Sequence, residues 1–121
     1  MTHIIINVEG APVPKQSMKM GRGHSYTPQH IKDWQNTVSW CAKEAALNSG
    51  WVMTSERVKV TSMFRLPDLQ RRDLDNLIKA TNDSLKGIII KDDDQIYKST
   101  EEKEIVDGNP GVTILVEIIK R

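Results

Sequence analysis

The densest chemical signal in the chain is Arg71-Arg72-Asp73-Leu74-Asp75-Asn76-Leu77-Ile78-Lys79-Ala80. Two carboxylates two residues apart in a regular helix point to nearly opposite sides, so they converge only if one of them lies outside the helix. Asp73 meets that condition, because it stands where an N-cap with non-helical dihedrals belongs. Asp75, Lys79 and Asp83 then follow at four-residue intervals along one face. A second acidic group, Asp92-Asp93-Asp94, comes after the next apolar segment, where a returning chain is expected to bring a third carboxylate alongside the first two. Three carboxylates in one place repel each other, so such a cluster persists when a cation neutralises it. Oxygen-only donors favour Mg²⁺, with Mn²⁺ as a substitute, over zinc. An acidic metal pocket flanked by Arg71 and Arg72 is what phosphodiester cleavage requires: the ion activates water and stabilises charge developing on phosphate.

Each piece also has a plainer reading. Asp73 can serve only as a cap, and Asp75 with Lys79 can be a surface ion pair worth a few tenths of a kcal/mol. The Asp triplet can be a solvated turn. A competing nuclease pattern, Pro67-Asp68 with Glu101-Glu102-Lys103, loosely matches restriction enzymes but is short and weaker than the Asp73 cluster. His3, His24 and His30 have no metal-ligand spacing, the Ser, His and Cys residues give no nucleophilic triad, and no Gly-x-x-x-x-Gly-Lys loop is present.

The elements that must hold these residues can be read from periodicity. Ile4, Ile6 and Val8 alternate with Ile5 and Asn7, which predicts a first strand. Residues 10–26 hold Pro12, Pro14, Gly21 and Gly23 without a sustained period and read as a long, mobile loop. Thr27-Pro28 predicts a helix start, with Thr27 as the cap and Pro28 at the first helical position. Ile31, Trp34, Val38, Cys41 and Ala45 form its apolar stripe, and Asn48-Ser49-Gly50 ends it. Trp34 reads as a packing residue; Trp40 falls off the stripe and points to a second face. Val58, Val60, Ser62 and Phe64 predict a half-buried strand. A second helix is expected over residues 74–86 with Leu77, Ile78 and Leu85 inward, and Ile88-Ile89-Ile90 as a short extended segment after it. Residues 95–106 suggest an exposed edge strand, and Val112, Ile114, Val116 and Ile118 a final one. The order β-α-β-α-β-β predicts an α+β fold with two main helices on one mixed sheet, as a single domain over residues 1–121.

Bulk properties agree. The 121 residues are 38% hydrophobic and 27% charged, a globular composition of one-domain size. No apolar run approaches the roughly 20 residues of a membrane span, and no secretory signal is visible. The one cysteine, Cys41, excludes an internal disulfide, and a cytoplasmic setting is the simplest expectation. Net charge is only +1, yet it is segregated: residues 10–32 contain Lys15, Lys19, Arg22 and Lys32 with no acid. Such a stretch can present a basic surface beside an acidic pocket.

From Arg72-Asp73-Leu74-Asp75-Asn76-Leu77-Ile78-Lys79-Ala80, through Asp83-Ser84-Leu85, to Asp92-Asp93-Asp94-Gln95-Ile96, the chain resembles the RusA family of Holliday junction resolvases. Total length, the early strand, the basic Gly-Arg-Gly-His-Ser segment and the terminal strand follow the family's order. The resemblance implies a homodimeric endonuclease that makes paired nicks in four-way DNA junctions with Mg²⁺. It implies Asp73, Asp75 and Asp93 as metal ligands, Lys79 as the catalytic lysine, and Arg72 as a basic residue beside the site. Asp93 is chosen by counting back from Gln95, so Asp92 and Asp94 stay open as substitutes. The family does not require an acid at Asp94. Lys15, Lys19, Arg22, Arg71 and Arg72 are the candidate DNA contacts. A non-catalytic junction- or duplex-binding protein, or a metal-dependent phosphodiesterase for other branched DNA, are the alternatives.

Overall fold

Ile4, Ile6 and Val8 turn inward from β1 (His3–Glu9) while Ile5 and Asn7 face out, as strict alternation demands. The computed structural model describes residues 2–15, 19–21 and 24–120. β1 pairs antiparallel with β6 (Gly111–Ile118), placing Ile6 opposite Ile114. On its other side β6 pairs antiparallel with β4 (Val58–Leu66), in which Val58, Val60, Ser62, Phe64 and Leu66 all face the core. β5 (Ile96–Ile105) lies parallel to β4 at the sheet edge, and its outer positions are almost all exposed. The four strands therefore run β1-β6-β4-β5 in one mixed sheet.

A parallel pair needs a crossover, and α2 (Leu74–Leu85) supplies it between β4 and β5. α1 (Gln29–Ser49) packs on β1 and α2. Ile31, Trp34, Val38 and Ala42 are its buried stripe; Cys41 and Ala45, expected there, only flank it, because the line of deepest burial steps by four residues after Trp34. Trp40 is 64% exposed, off the stripe as expected. Sheet and helices follow the order β-α-β-α-β-β, an α+β domain with one core cluster. No helix among the described residues is long and apolar enough to cross a membrane.

Three local expectations are corrected. The segment read as a loop carries a small hairpin, β2 (Lys19–Gly21) against β3 (His24–Tyr26). The cap of α1 is Pro28, not Thr27: the Pro28 carbonyl accepts the N–H groups of Ile31 and Lys32, and no side chain caps the helix. Residues 87–89 form a turn, and of the expected extended segment only Ile90 makes isolated bridges, to Thr54 and Lys86. The Leu85 carbonyl accepts from Ile88 and Ile89 at 3.2 and 2.9 Å, and Ile89 and Ile90 are buried. Trp51 packs there too, its indole N–H donating to the Ile89 carbonyl at 3.1 Å.

Candidate active site at the two ends of α2

Asp73 is the N-cap residue of α2, with extended dihedrals (φ −72°, ψ 133°) that let its carbonyl accept the N–H groups of Asn76 and Leu77. Its carboxylate, however, makes no capping bond. It turns instead to Arg71, whose Nε lies 3.2 Å from Oδ1 and Nη2 3.4 Å from Oδ2. That contact raises the Arg71 guanidinium pKa above its ordinary value. Asp75, in the first turn, is exposed. Lys79 follows one turn later, also exposed, and among the described residues no ion pair joins it to Asp75. Neither plainer reading, an Asp73 cap or an Asp75–Lys79 ion pair, is realised: Asp75 is without an ion-pair partner among the described residues, and Asp73 is held only by the exposed Arg71.

Arg72 behaves differently from Arg71. Its side chain is only 11% exposed, and Nη1 donates to Asp68 at 2.9 Å and to the Gln70 carbonyl at 3.2 Å. The Arg72 hydrogen bond, helped by the Gln70 N–H, holds the Asp68 carboxyl below its usual value. From β5, Lys103 donates to the Arg72 carbonyl at 2.7 Å and fixes the backbone next to Asp73. Asp68 and Lys103 of the restriction-like pattern thus line one cavity, but Asp68 is occupied by Arg72, and Glu101 is absent from the lining and accepts from Ser99.

The Asp triplet lies beyond the other end of α2, and only Asp92 in it is extended. Asp93–Gln95 forms a 3₁₀ turn in a capping box: Asp92 accepts from the N–H of Asp93, and the Gln95 side chain reaches back to the N–H of Asp92. Gln95 is 92% buried in effect, with 8% exposure, and all its amide capacity is used. Its Oε1 accepts from Lys91 and Asp92, both at 2.8 Å, and its Nε2 donates to the carbonyls of Thr54 at 2.8 Å and Glu56 at 2.9 Å. The turn is thereby locked to the segment entering β4, and Asp93 is held at a set place with its side chain half exposed.

Lys86 meets that side chain. Its ammonium stands 3.3 Å from Asp83 and 3.7 Å from Asp93, and Asp83 also binds Lys15. The Lys15 N–H donates to the Asn76 carbonyl at 2.9 Å, so the start of the basic segment is tied to α2 twice. Burial alone would raise the Asp83 carboxyl, but the hydrogen bonds from Lys15 and Lys86 prevail and hold it below its ordinary value. The Asp83 hydrogen bond, more than the charges of Asp93 and Asp92, raises Lys86.

These placements overturn the expectation that a returning chain brings the third carboxylate beside the first two. α2 runs unbroken for 12 residues between them, a rise of about 18 Å. Because β5 is parallel to β4, the chain must complete the crossover before it re-enters the sheet, so the acidic turn sits at the end remote from Asp73. Among the described residues no three acids, histidines or cysteines come close enough to share an ion. The donors Asp73, Asp75 and Asp93 fit a hard cation in kind, being carboxylates only, but not in arrangement within one chain. Of the remaining candidates, Arg22 lies outside the described residues, and of Lys19 only the backbone, in β2, is described.

Comparison with known proteins bears on these two groups of residues. A family model for endodeoxyribonuclease RusA matches residues 9–117, which takes in α2, both of its ends and the acidic turn. The chain belongs to the RusA family. A curated RusA relative, a crossover junction endodeoxyribonuclease of Aquifex aeolicus (strain VF5), is 26% identical over 119 residues, covering 96% of this chain and 92% of its own. A solved structure of an Agrobacterium tumefaciens protein of unknown function covers 95% of this chain and 78% of its own, at 12% identity and a TM-score of 0.44, too distant to carry a functional argument. Within the RusA match, sequence reasoning missed two residues that shape the site. Gln95 carried a legible signal, since Asp92-x-x-Gln95 is the capping-box pattern. Lys86 carried none, because its partners are set by how the turn after α2 folds back.

Proposed function

We propose that this protein is a Mg²⁺-dependent, structure-specific endonuclease that nicks four-way DNA junctions in recombination and repair, and that it works as a homodimer. One observation carries the reading: Asp73 sits at a helix N-cap yet makes no capping bond with its carboxylate, two residues before an exposed Asp75, in a chain of an endodeoxyribonuclease family. When bound, the ion would supply a water of lowered pKa and neutralise charge developing on phosphate. Asp73 and Asp75 hold one half of an oxygen cage, and Asp93, fixed by Gln95, holds the other. Since α2 keeps these halves apart in one chain, a two-fold dimer that sets the acidic turn of one subunit against the α2 start of the other completes the donor set. Lys79, exposed beside Asp75, orients the scissile phosphate, and Lys19, Arg22 and the exposed Arg71 bind backbone with little sequence reading, while Lys15 and Arg72, paired with Asp83 and Asp68, hold the segments that carry them. The same two-fold axis presents two equal sites to two strands of like polarity.

The test is a panel of synthetic four-way junction, flap and linear duplex, with and without Mg²⁺. Paired symmetric nicks in the junction alone, only with metal, are expected, from a protein that sediments at about twice the monomer mass. Junction binding without nicking in any metal would leave a binding protein, and equal nicking of flaps would leave a general branched-DNA phosphodiesterase.

A further inference from the structure

Next to Asp73, at the carboxyl ends of the parallel strands β4 and β5, lies a cavity of about 290 Å³ whose lining joins Leu66, Leu69 and Ile105 to Gln70 and the charged Asp68, Arg71, Arg72, Lys103 and Glu104. We propose that this cavity takes one unstacked nucleobase of the cleaved strand and so makes cleavage depend on base identity at the exchange point. The proposal rests on the nuclease reading above.

Its position comes first. The crevice outside the carboxyl ends of parallel strands is where open sheets with crossover helices bind ligands, and here it opens at Arg71 and Arg72, which lead directly into the proposed metal ligand Asp73. The walls are apolar where a base needs them to be. Leu69 is 89% exposed and Ile105 48%, large side chains left in water beside three cations, over the buried Leu66. Arg72 forms a fixed guanidinium, held by Asp68 and the Gln70 carbonyl, and Lys103 closes the far side by bonding the Arg72 carbonyl. Bases stack on such apolar and guanidinium surfaces.

Charge separates a base from a phosphate as the occupant. Three cations line the cavity against two acids, and Arg72 and Lys103 already spend hydrogen bonds on protein acceptors. What remains suits a neutral planar group with polar edges, for which the Gln70 amide and the Glu104 carboxylate supply donors and acceptors. The volume lies just below the range of about 300–1,000 Å³ for ligand cavities, which fits one base and not a dinucleotide. At a branch point the unstacking that such insertion demands is least costly.

The experiment places 2-aminopurine at each position flanking the exchange point of a junction and follows its fluorescence on binding of the full-length protein without divalent metal. One position is expected to respond, and Leu69→Ser and Ile105→Ser, both at exposed sites that the core does not need, each remove that response. In Mg²⁺, the ratio of cleavage rates between the best and worst base at that position should fall at least about 5-fold in each variant. No responding position with wild type, or an unchanged response and ratio in both variants, overturns the proposal. Because the fluorescence needs only binding, a wild-type protein that lights one position but nicks nothing would refute the nuclease reading and leave the base pocket standing.

Discussion

The ammonium of Lys86 stands 3.7 Å from the carboxylate of Asp93, so a side-chain cation already faces one of the proposed metal ligands. A divalent ion must compete with it. Both side chains are partly exposed, and such a pair is worth at most about 1 kcal/mol, or about 5-fold in affinity. Lys86→Met is therefore expected to tighten Mn²⁺ binding two- to five-fold (about 5-fold at most), measured by paramagnetic resonance. Lys91→Met, which removes an equal charge nearby without touching Asp93, is the control. Equal tightening in both would show a diffuse field and no competition for the carboxylate.

Asp73→Asn and Asp75→Asn should each lower junction nicking at least about 100-fold, since losing a ligand charge removes several kcal/mol of stabilisation. Binding should be unchanged or tighter, because negative charge beside DNA is removed. Near-wild-type nicking by either variant in Mg²⁺ would refute the assignment.

Separation of the proposed half-sites along α2 makes mixed dimers informative. Each of Asp75→Asn and Asp93→Asn is expected to be inactive alone. Co-assembled from equal amounts, they regain about a quarter of the sites, because half the dimers are mixed and each mixed dimer has one intact site. These dimers should make single nicks and not paired ones. Mixtures as inactive as the parents would mean that one chain assembles its own site.

Within the acidic turn, the three aspartates should separate cleanly. Asp93→Asn abolishes nicking; Asp94→Asn changes little; Asp92→Ala costs about 1 kcal/mol of stability through its cap. Gln95→Ala leaves four backbone groups unpaired and should cost about 2–4 kcal/mol. Urea denaturation reads both stability losses. Equal loss of nicking at all three aspartates, with unchanged stability, would contradict the capped-turn geometry.

Asp83 predicts a pH signature. Its folded pKa lies below its unfolded one, so the stabilisation from Lys15 and Lys86 is present above the unfolded value of about 3.9 and is lost as pH falls through the folded value. Asp83→Asn should be less stable than wild type by about 1 kcal/mol above about pH 5, with the gap closing below about pH 4. A gap that stays constant down to pH 2–3 (roughly the end of carboxylate titration) would show that the ion pairs contribute nothing.

The sequence by itself determined the local pieces. Alternation in β1, β4 and β6 and the three-and-four spacing of α1 are set by which side chains leave water. Asp73 could be placed at the start of α2 because an N-cap must adopt non-helical dihedrals. Even the turn at Asp92 was spelled by its capping box. What only the tertiary structure decided is where those pieces meet. The parallel pairing of β5 with β4 joins residues some forty positions apart, such as Val58 and Ile96, and it alone forces Asp93 to the far end of α2 from Asp73. Lys15 likewise finds Asp83 across 68 residues of chain. Such contacts depend on strand order and crossover, which no periodicity of neighbouring residues encodes.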